Sequence, residues 1–424
     1  VIVIELALDS AIMIMDFFNR TTQKMSTFKQ AITHIRNMPA AFWVVIVATL
    51  INQMGNMAFV FLVLYCNQAL GFSLPLAATT FAAFSGSMLL IGLLGGSVID
   101  RFGALRVMLL ALIANGFTLL IFPLLHTYFS IILLCFTWGC TYGLYRPASQ
   151  AFITQLSTPG MHKITFSLYR LVINLGMSLG PAVGGYLATH HFASIFLANG
   201  IANLTASVVL ITGLSRSEWF KQKCLIKRSE LSMKWLFKDS SLAWFLAAMI
   251  PVSMVFFQHE STLAVYAKES LHLSLSFYGL IFTLNTLMIV LFELPLNIAT
   301  LNWPYRINLA LGSAFITAGF AGIAWSHRAH DILLITVIWT IGEMILYPSS
   351  SSYIADIAPE ERRGSYMSLY STCTSIGMLL GPWSGALIMQ RFGAHNLWLA
   401  CGAWGLLSVA LFLALPQKTV SSPI

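Results

Sequence analysis

Charge is scarce in this chain. Asp, Glu, Lys and Arg make up 9% of its residues, against about 25% in an ordinary soluble domain. With 58% hydrophobic residues and a mean hydropathy of +0.79, most of the 424 residues must lie in lipid. Acidic groups are scarcer still, 15 against 23 basic ones, for a net charge of +8. Cysteine is sparse as well. Cys66, Cys135, Cys140, Cys224, Cys373 and Cys401 are scattered and offer no disulfide or metal spacing. Phosphate loops, nucleophile elbows and metal-ligand spacings are missing, so no metal, cofactor or enzymatic activity is expected. No positive n-region with a cleavage site marks a signal peptide.

What is present is length in apolar residues. Runs of about 20 recur, each able to cross a hydrocarbon core of about 30 Å. Twelve spans are predicted, at 41–65, 75–99, 105–125, 129–154, 164–188, 192–214, 241–266, 276–300, 306–326, 332–356, 366–389 and 394–415. The expected fold is an all-α membrane protein with two six-helix halves, 38–214 and 241–416. A lead-in (1–37), a linker (215–240) and a short tail (417–424) complete the chain.

Lys and Arg set the orientation. Lys29, Arg36, Arg101, Arg106, Lys163, the linker, Arg306, Arg362, Arg363 and Lys418 fall on one side, and Lys268, Arg328 and Arg391 on the other. Both termini are therefore expected in the cytoplasm, with the protein in a plasma membrane (the inner membrane of a bacterium). The same bias explains the net charge and leaves no support for a nucleic-acid partner. The linker's Arg216, Lys221, Lys223, Lys227, Arg228, Lys234 and Lys238 suit either an anionic leaflet or a solvated connector. Residues 1–24 read either as an upstream-start segment or as an amphipathic surface helix with Glu5, Asp9 and Asp16 near one face.

One motif occurs twice. Gly176, Gly180, Pro181, Gly184 and Gly185 recur 201 residues on as Gly377, Gly381, Pro382 and Gly385. The same offset pairs Trp138 with Trp339, Pro147 with Pro348, Ser167-Leu168-Tyr169 with Ser368-Leu369-Tyr370, and Tyr65 with Tyr266. A register held over so many positions marks an internal duplication, the mark of a transporter bundle. Glycines four apart make a flat stripe for a close helix neighbour, and a proline beside them can bend the helix. Gly96, Asp100, Arg101, Gly103 and Arg106 form a second signature between spans two and three. There Asp100 can cap a helix or pair with a base when that end of the bundle is shut.

Polar residues inside spans are costly in lipid and face cavities or neighbours. Trp138, Tyr142, Arg146 and Gln150 share a face of span four, and Trp339, Glu343, Tyr347 and Ser351 the matching face of span ten. Arg170 and Asn174 lie on span five, at the depth of Arg146. Two guanidiniums there would repel unless an anion visits: Asp100, a substrate carboxylate or a lipid phosphate. Asn52, Gln53 and Asn56 lie on span one and can bind substrate or neighbouring helices. Glu260, Glu293 and Glu343 are candidate proton carriers. Glu343 and Glu260 rank first, because Glu293 precedes Pro295 near the cytoplasmic end, where it can serve as an anchor. Pro251 is placed to bend span seven.

These features resemble the major facilitator superfamily over residues 38–416, and within it the drug:proton antiporter branch. The span-five glycine motif matches that branch. The gate loop matches the superfamily except that Ala104 and Leu105 replace its basic pair. The resemblance implies alternating access, with protons exchanged for small amphipathic compounds, and with the first and fourth helices of each half lining a central cavity, which places Arg146 opposite Glu343 across or near it. The two-half bundle needs no partner to build its site, so a monomer is expected. Two departures weaken proton coupling or move it to the second half. Span one carries amides instead of an acid, and Gly139 stands where the branch has a span-four arginine. The alternative is a proton-independent facilitator or exchanger of a small anionic metabolite, using Arg146 and Arg170. A non-transporting sensor would need an added domain or a long tail.

Overall fold

The computed structural model describes residues 33–72, 74–190, 192–215, 217–218, 239–273 and 275–416. The readings of residues 1–24, most of the linker and the tail lie outside these, as do the side-chain surroundings of Pro181 and Gly185. The protein is an all-α membrane protein of twelve spans in two six-helix repeats. Span one is α1 (Ala40–Gly55) followed by α2 (Ala58–Gln68). Spans two to six are α3 (Leu74–Phe102), α4 (Ala104–Ile121), α5 (Tyr128–Leu156), α6 (His162–His190) and α7 (Phe192–Leu214). Span seven is α8 (Ser240–Phe256) followed by α9 (Thr262–Glu269). Spans eight to twelve are α10 (Leu275–Ala299), α11 (Tyr305–Gly322), α12 (Ala329–Ile357), α13 (Arg363–Phe392) and α14 (Ala394–Leu413). Ten helices among the described residues are long and apolar enough to cross a membrane, and Ala40–Gly55 is a shorter apolar one.

Packing repeats with the sequence. In the first half α1 lies on α6 and α7, α4 on α5 and α7, and α3 on α5. In the second, α8 lies on α13 and α14, α11 on α12 and α14, and α10 on α12. The halves meet through α3 with α13 and α6 with α10, and α5 and α6 also reach across to α13 and α12.

The first span of each half is broken at the same register. α1 stops at Gly55 and α8 at Phe256, 201 residues apart. Asn56 leaves helical geometry at ψ 58°, and Phe257–Glu260 forms a 3-10 turn ending on Ser261 at φ −135°, ψ −84°. Both spans were expected to be continuous or bent at Pro251. Pro251 instead sits inside an unbroken α8. Polar residues stand at both breaks, Asn52, Gln53 and Asn56 at one and Gln258, His259, Glu260 and Ser261 at the other, but the apolar residues on either side carry the hydropathy of each span through.

The duplicated glycine stripes pack on the turns just before these breaks. A Cβ on Gly180 would lie 3.1 Å from the Met54 carbonyl oxygen, and one on Gly381 would lie 2.5 Å from that of Met254. Gln258 donates to the carbonyls of both Gly381 (2.7 Å) and Met254 (3.1 Å), pinning α13 to the break. Backbones thus touch where the helices are weakest.

Proline gaps are filled from neighbouring helices. Pro348 lies inside α12 and cannot donate to the carbonyl of Met344. Asn297 on α10, fully buried, donates to that oxygen at 2.9 Å.

Gly381→Val should lower the thermal unfolding midpoint of the purified protein, an overpacking cost of about 1–3 kcal/mol. Gly86→Ala, where a Cβ meets nothing within 4 Å, should leave the midpoint unchanged or slightly raised. Equal midpoints for the two variants would show that the seam yields freely.

Candidate functional site

The strongest polar assembly lies where α6 meets α10 and α12. Arg170 donates from Nη2 to the Oε1 of Glu343 and from Nη1 to its backbone carbonyl at 2.9 Å. Its Nε is 3.6 Å from the Oε2 of Glu293. Its guanidinium carbon lies 4.8 Å from the ring centroid of Tyr347. Asn285 donates to the other oxygen of Glu343 at 2.6 Å and approaches Thr340 Oγ1 at 3.1 Å. Arg170 keeps 14% exposure, Glu343 7% and Glu293 none. One cation from the first half therefore meets two carboxylates from the second. Both oxygens of Glu293 lack a hydrogen-bond donor.

This geometry corrects the sequence reading at three points. Glu343 pairs with Arg170, not with Arg146. Arg170 is not an unpaired guanidinium awaiting a visiting anion, since the protein supplies its carboxylates. Glu293 is not a headgroup anchor, because the halves close over it and bury it completely. Asn285 and Thr340 are not among the candidates read from the sequence, and Tyr169 and Tyr370 are there only as repeat partners. Asn285 stands two turns before Glu293 on α10, and Tyr169 and Tyr370 are repeat partners already visible at offset 201. Tyr169 and Ser149 lie 2.5 Å apart, and Tyr370 bonds the equivalent Ser350 and its neighbour Ser351.

Arg146 is exposed although it sits well inside α5. Its helix reaches across to α13 of the other half. Tyr142 accepts a 2.8 Å bond from Asn56 at the break of span one. Glu260, 43% exposed at the break of span seven, has His259 at 3.8 Å. It takes no part in the Arg170 assembly.

Other candidates are absorbed by packing. Trp138 and Trp339 were expected on the central cavity but are core residues. Trp138 is enclosed by Phe84, Phe122 and Phe196, and Trp339 by Phe256, His259 and Phe320. Gly139 lets α5 press onto Phe84 and Ser87 at that level, and this seals the tryptophan in. Asn52 donates to Asn203 at 2.9 Å within the first half, and Gln53 lies under Gly176. Gln150 is buried, and Asn174 donates to the Arg170 carbonyl at 3.0 Å.

The gate loop joins the halves at one end of the bundle. Asp100 accepts from the N–H groups of Gly364 (2.7 Å) and Ser365 (3.0 Å) and from the Ser365 hydroxyl. It thus caps α13 across the seam, not the next helix α4. Gly96 permits this approach, since a Cβ there would sit 2.5 Å from the Ser365 Cα. Gly103 turns the chain at φ 88°, while Arg101 and Arg106 are exposed. The repeat-related contact reverses polarity. Lys163 on α6 donates to the hydroxyl (2.6 Å) and carbonyl (3.1 Å) of Thr300 after α10. Beside it His162 and Asp356 lie 2.5 Å apart, and Tyr305 also donates to Asp356. His34, ahead of the first span, lies 3.2 Å from Thr165; burial first, then nearby His162, lowers its pKa.

A duplicated bundle with ionic groups held at its seam defines a membrane transporter. The chain belongs to the Major Facilitator Superfamily, whose family model matches residues 45–275 and 261–423. The MFS-type transporter YttB of Bacillus subtilis (strain 168) is 24% identical over 91% of this chain and 97% of its own length. Multidrug resistance protein 1 of the same organism is 23% identical over 73% of this chain and 79% of its own. Among solved structures, a bacterial homologue of the iron transporter ferroportin in an outward-facing state superposes with a TM-score of 0.75. It has 18% identity and covers 88% of this chain and 99% of its own.

Arg170→Gln should destabilise the protein by about 3–5 kcal/mol, because it strands two buried carboxylates. Adding Glu343→Gln should recover part of the loss. A double variant no more stable than the single one would argue against a shared ion cluster. Asp100→Ala should lengthen the distances between spin labels at positions 102 and 360. The lost bonds are worth about 1–3 kcal/mol each; an unchanged distribution would mean that the cap does not hold this end shut.

Proposed function

We propose that the protein is a proton-coupled exporter of small amphipathic compounds, working by alternating access. The observation that carries this reading is the sharing of Arg170 between Glu343 and Glu293 across the two halves. Two carboxylates against one guanidinium leave one negative charge in excess, and a proton neutralises it. Glu293, with no donor to its oxygens, has the most to gain.

The coupling follows from where the cluster sits. A proton on Glu343 or Glu293 weakens the tie between α6 and the pair α10–α12. By linkage, opening the Asp100 end favours the proton. The positive-inside bias makes that end cytoplasmic, so protons entering from outside drive the bundle toward the cytoplasm-facing state. There the less acidic cytoplasm and the arriving cargo draw the protons off. Asp100–Gly364 and Lys163–Thr300 act as paired latches of opposite polarity. The Arg170 cluster stands in for the acid missing from span one. The protein is read as a monomer in the plasma membrane, with both termini in the cytoplasm. Likeness to Multidrug resistance protein 1 supports export of amphipathic cargo. The anion-facilitator reading retains Arg146 but loses Arg170, which is already occupied.

The test uses energised everted vesicles with a dye reporting the pH gradient and a panel of cationic, neutral and anionic compounds. A compound should collapse the gradient only when the protein is present. Glu343→Gln and Glu293→Gln should each reduce that proton flux at least about tenfold, equivalent to about 1.4 kcal/mol. Full proton flux in both variants would overturn the carboxylate assignment. Anion uptake indifferent to protonophores would favour the facilitator.

A further inference from the structure

We infer that Asn285 decides which of the two acids carries the proton: by donating to Glu343 it keeps that carboxylate ionised and leaves the proton to Glu293. Asn285 is thus a positioning residue, acting through the acids. The inference rests on the exporter reading and assigns its proton to one residue.

The two carboxylates are held in unlike ways. Glu343 receives an N–H on each oxygen, from Arg170 on Oε1 and from Asn285 on Oε2 at 2.6 Å. Both bonds favour the ionised, acceptor-only form of the acid. Glu293 receives none. Its two oxygens are buried without a donor, and Arg170 Nε, 3.6 Å from Oε2, lies beyond hydrogen-bond reach. A buried carboxylate without donors is the costlier anion of the pair. The one proton that balances the cluster therefore bonds to an oxygen of Glu293. Arg170 keeps its charge, and Glu343 stays as its counter-ion.

Asn285 is itself fixed in place. Thr340, one turn before Glu343 on α12, lies 3.1 Å from the same amide nitrogen. The two hydrogens of that nitrogen thus have separate acceptors. Asn285 stands two turns before Glu293 on α10, with the buried Ile289 between them. Asn297, one turn further on, ties the same face to the Met344 carbonyl of α12. Among the described residues, α6 brings Arg170 to this site, α12 brings Glu343 and Tyr347, and α10 brings Glu293.

Infrared difference spectra between alkaline and acidic pH, taken on the purified full chain in lipid bilayers, read the C=O stretch of a protonated carboxyl. A hydrogen bond to that oxygen weakens the C=O bond and lowers its frequency, so bonded and unbonded carboxyls are distinguishable. The double variant Glu293→Gln/Glu343→Gln supplies the background of every other acid. Above that background wild type should show one band, at the unbonded position. Glu343→Gln should keep that position. Glu293→Gln should show only a bonded band. Asn285→Leu should raise the bonded band at least about tenfold relative to the unbonded one, because Glu343 has lost a hydrogen bond to its charged form. Thr340→Val, which loosens the amide without removing it, should act in the same direction by less. Thermal unfolding checks each variant for folding, and Thr340→Val carries the test where Asn285→Leu does not fold. The inference is overturned if the wild-type band lies at the bonded position, if an unbonded band survives in Glu293→Gln, if neither acid gives a band, or if the folded variant leaves the spectrum unchanged. The spectrum is read at equilibrium, separately from transport. Proton-coupled export with the band on Glu343 sinks only this inference. A band on Glu293 without proton flux in vesicles sinks only the exporter reading.

Discussion

Arg170 is the constraint on which the arrangement depends. A guanidinium in a hydrocarbon surround must find anions, and the ones it finds belong to the other half of the molecule. The two repeats are thereby joined by charge at the level where they must separate for cargo to pass. Tyr347 covers the guanidinium, and Asn285 with Thr340 fixes the orientation of Glu343. The cluster is thus preorganised, with two carboxylates held against one guanidinium.

The duplication is closer in backbone than in chemistry. Both first spans break at one register, both glycine stripes press on the turn before the break, and both halves stack their helices in the same scheme. The charges do not repeat. Arg170 has Ser371 as its repeat partner, Asp100 has Leu301, and Lys163 has Gly364. A symmetric frame thus carries an asymmetric set of ties, so the two seams between the halves can respond to different signals.

Much of the fold was legible in the sequence because its causes are local. Apolar length gave the spans, and the offset of 201 residues gave the repeat. The breaks at Asn56 and Ser261 were not legible, since the polar residues around them read equally as cavity-facing side chains of an unbroken helix. At the site, periodicity places a side chain on a face without saying which helix covers that face. Trp138 and Arg146 share a face of α5, yet one is sealed by α3 and the other is exposed. Glu343 was found as an intramembrane acid, but its partner depends on how α6 crosses α12. Glu293 looked peripheral from its distance to a helix end, and only the closing of the two halves makes it central.

The bond from Asn297 to the carbonyl that Pro348 leaves open has a further meaning. It splices α12 to α10, and these are the helices that carry Glu343 and Glu293. Sliding one along the other would bare a peptide oxygen in a dry interior, so the two are held in register as one beam. The carboxylates are thereby held at a fixed spacing on one side of the seam, and the arginine meets them from the other. The acid pair forms a rigid jaw on one half, with the arginine as a single pin from the opposite half.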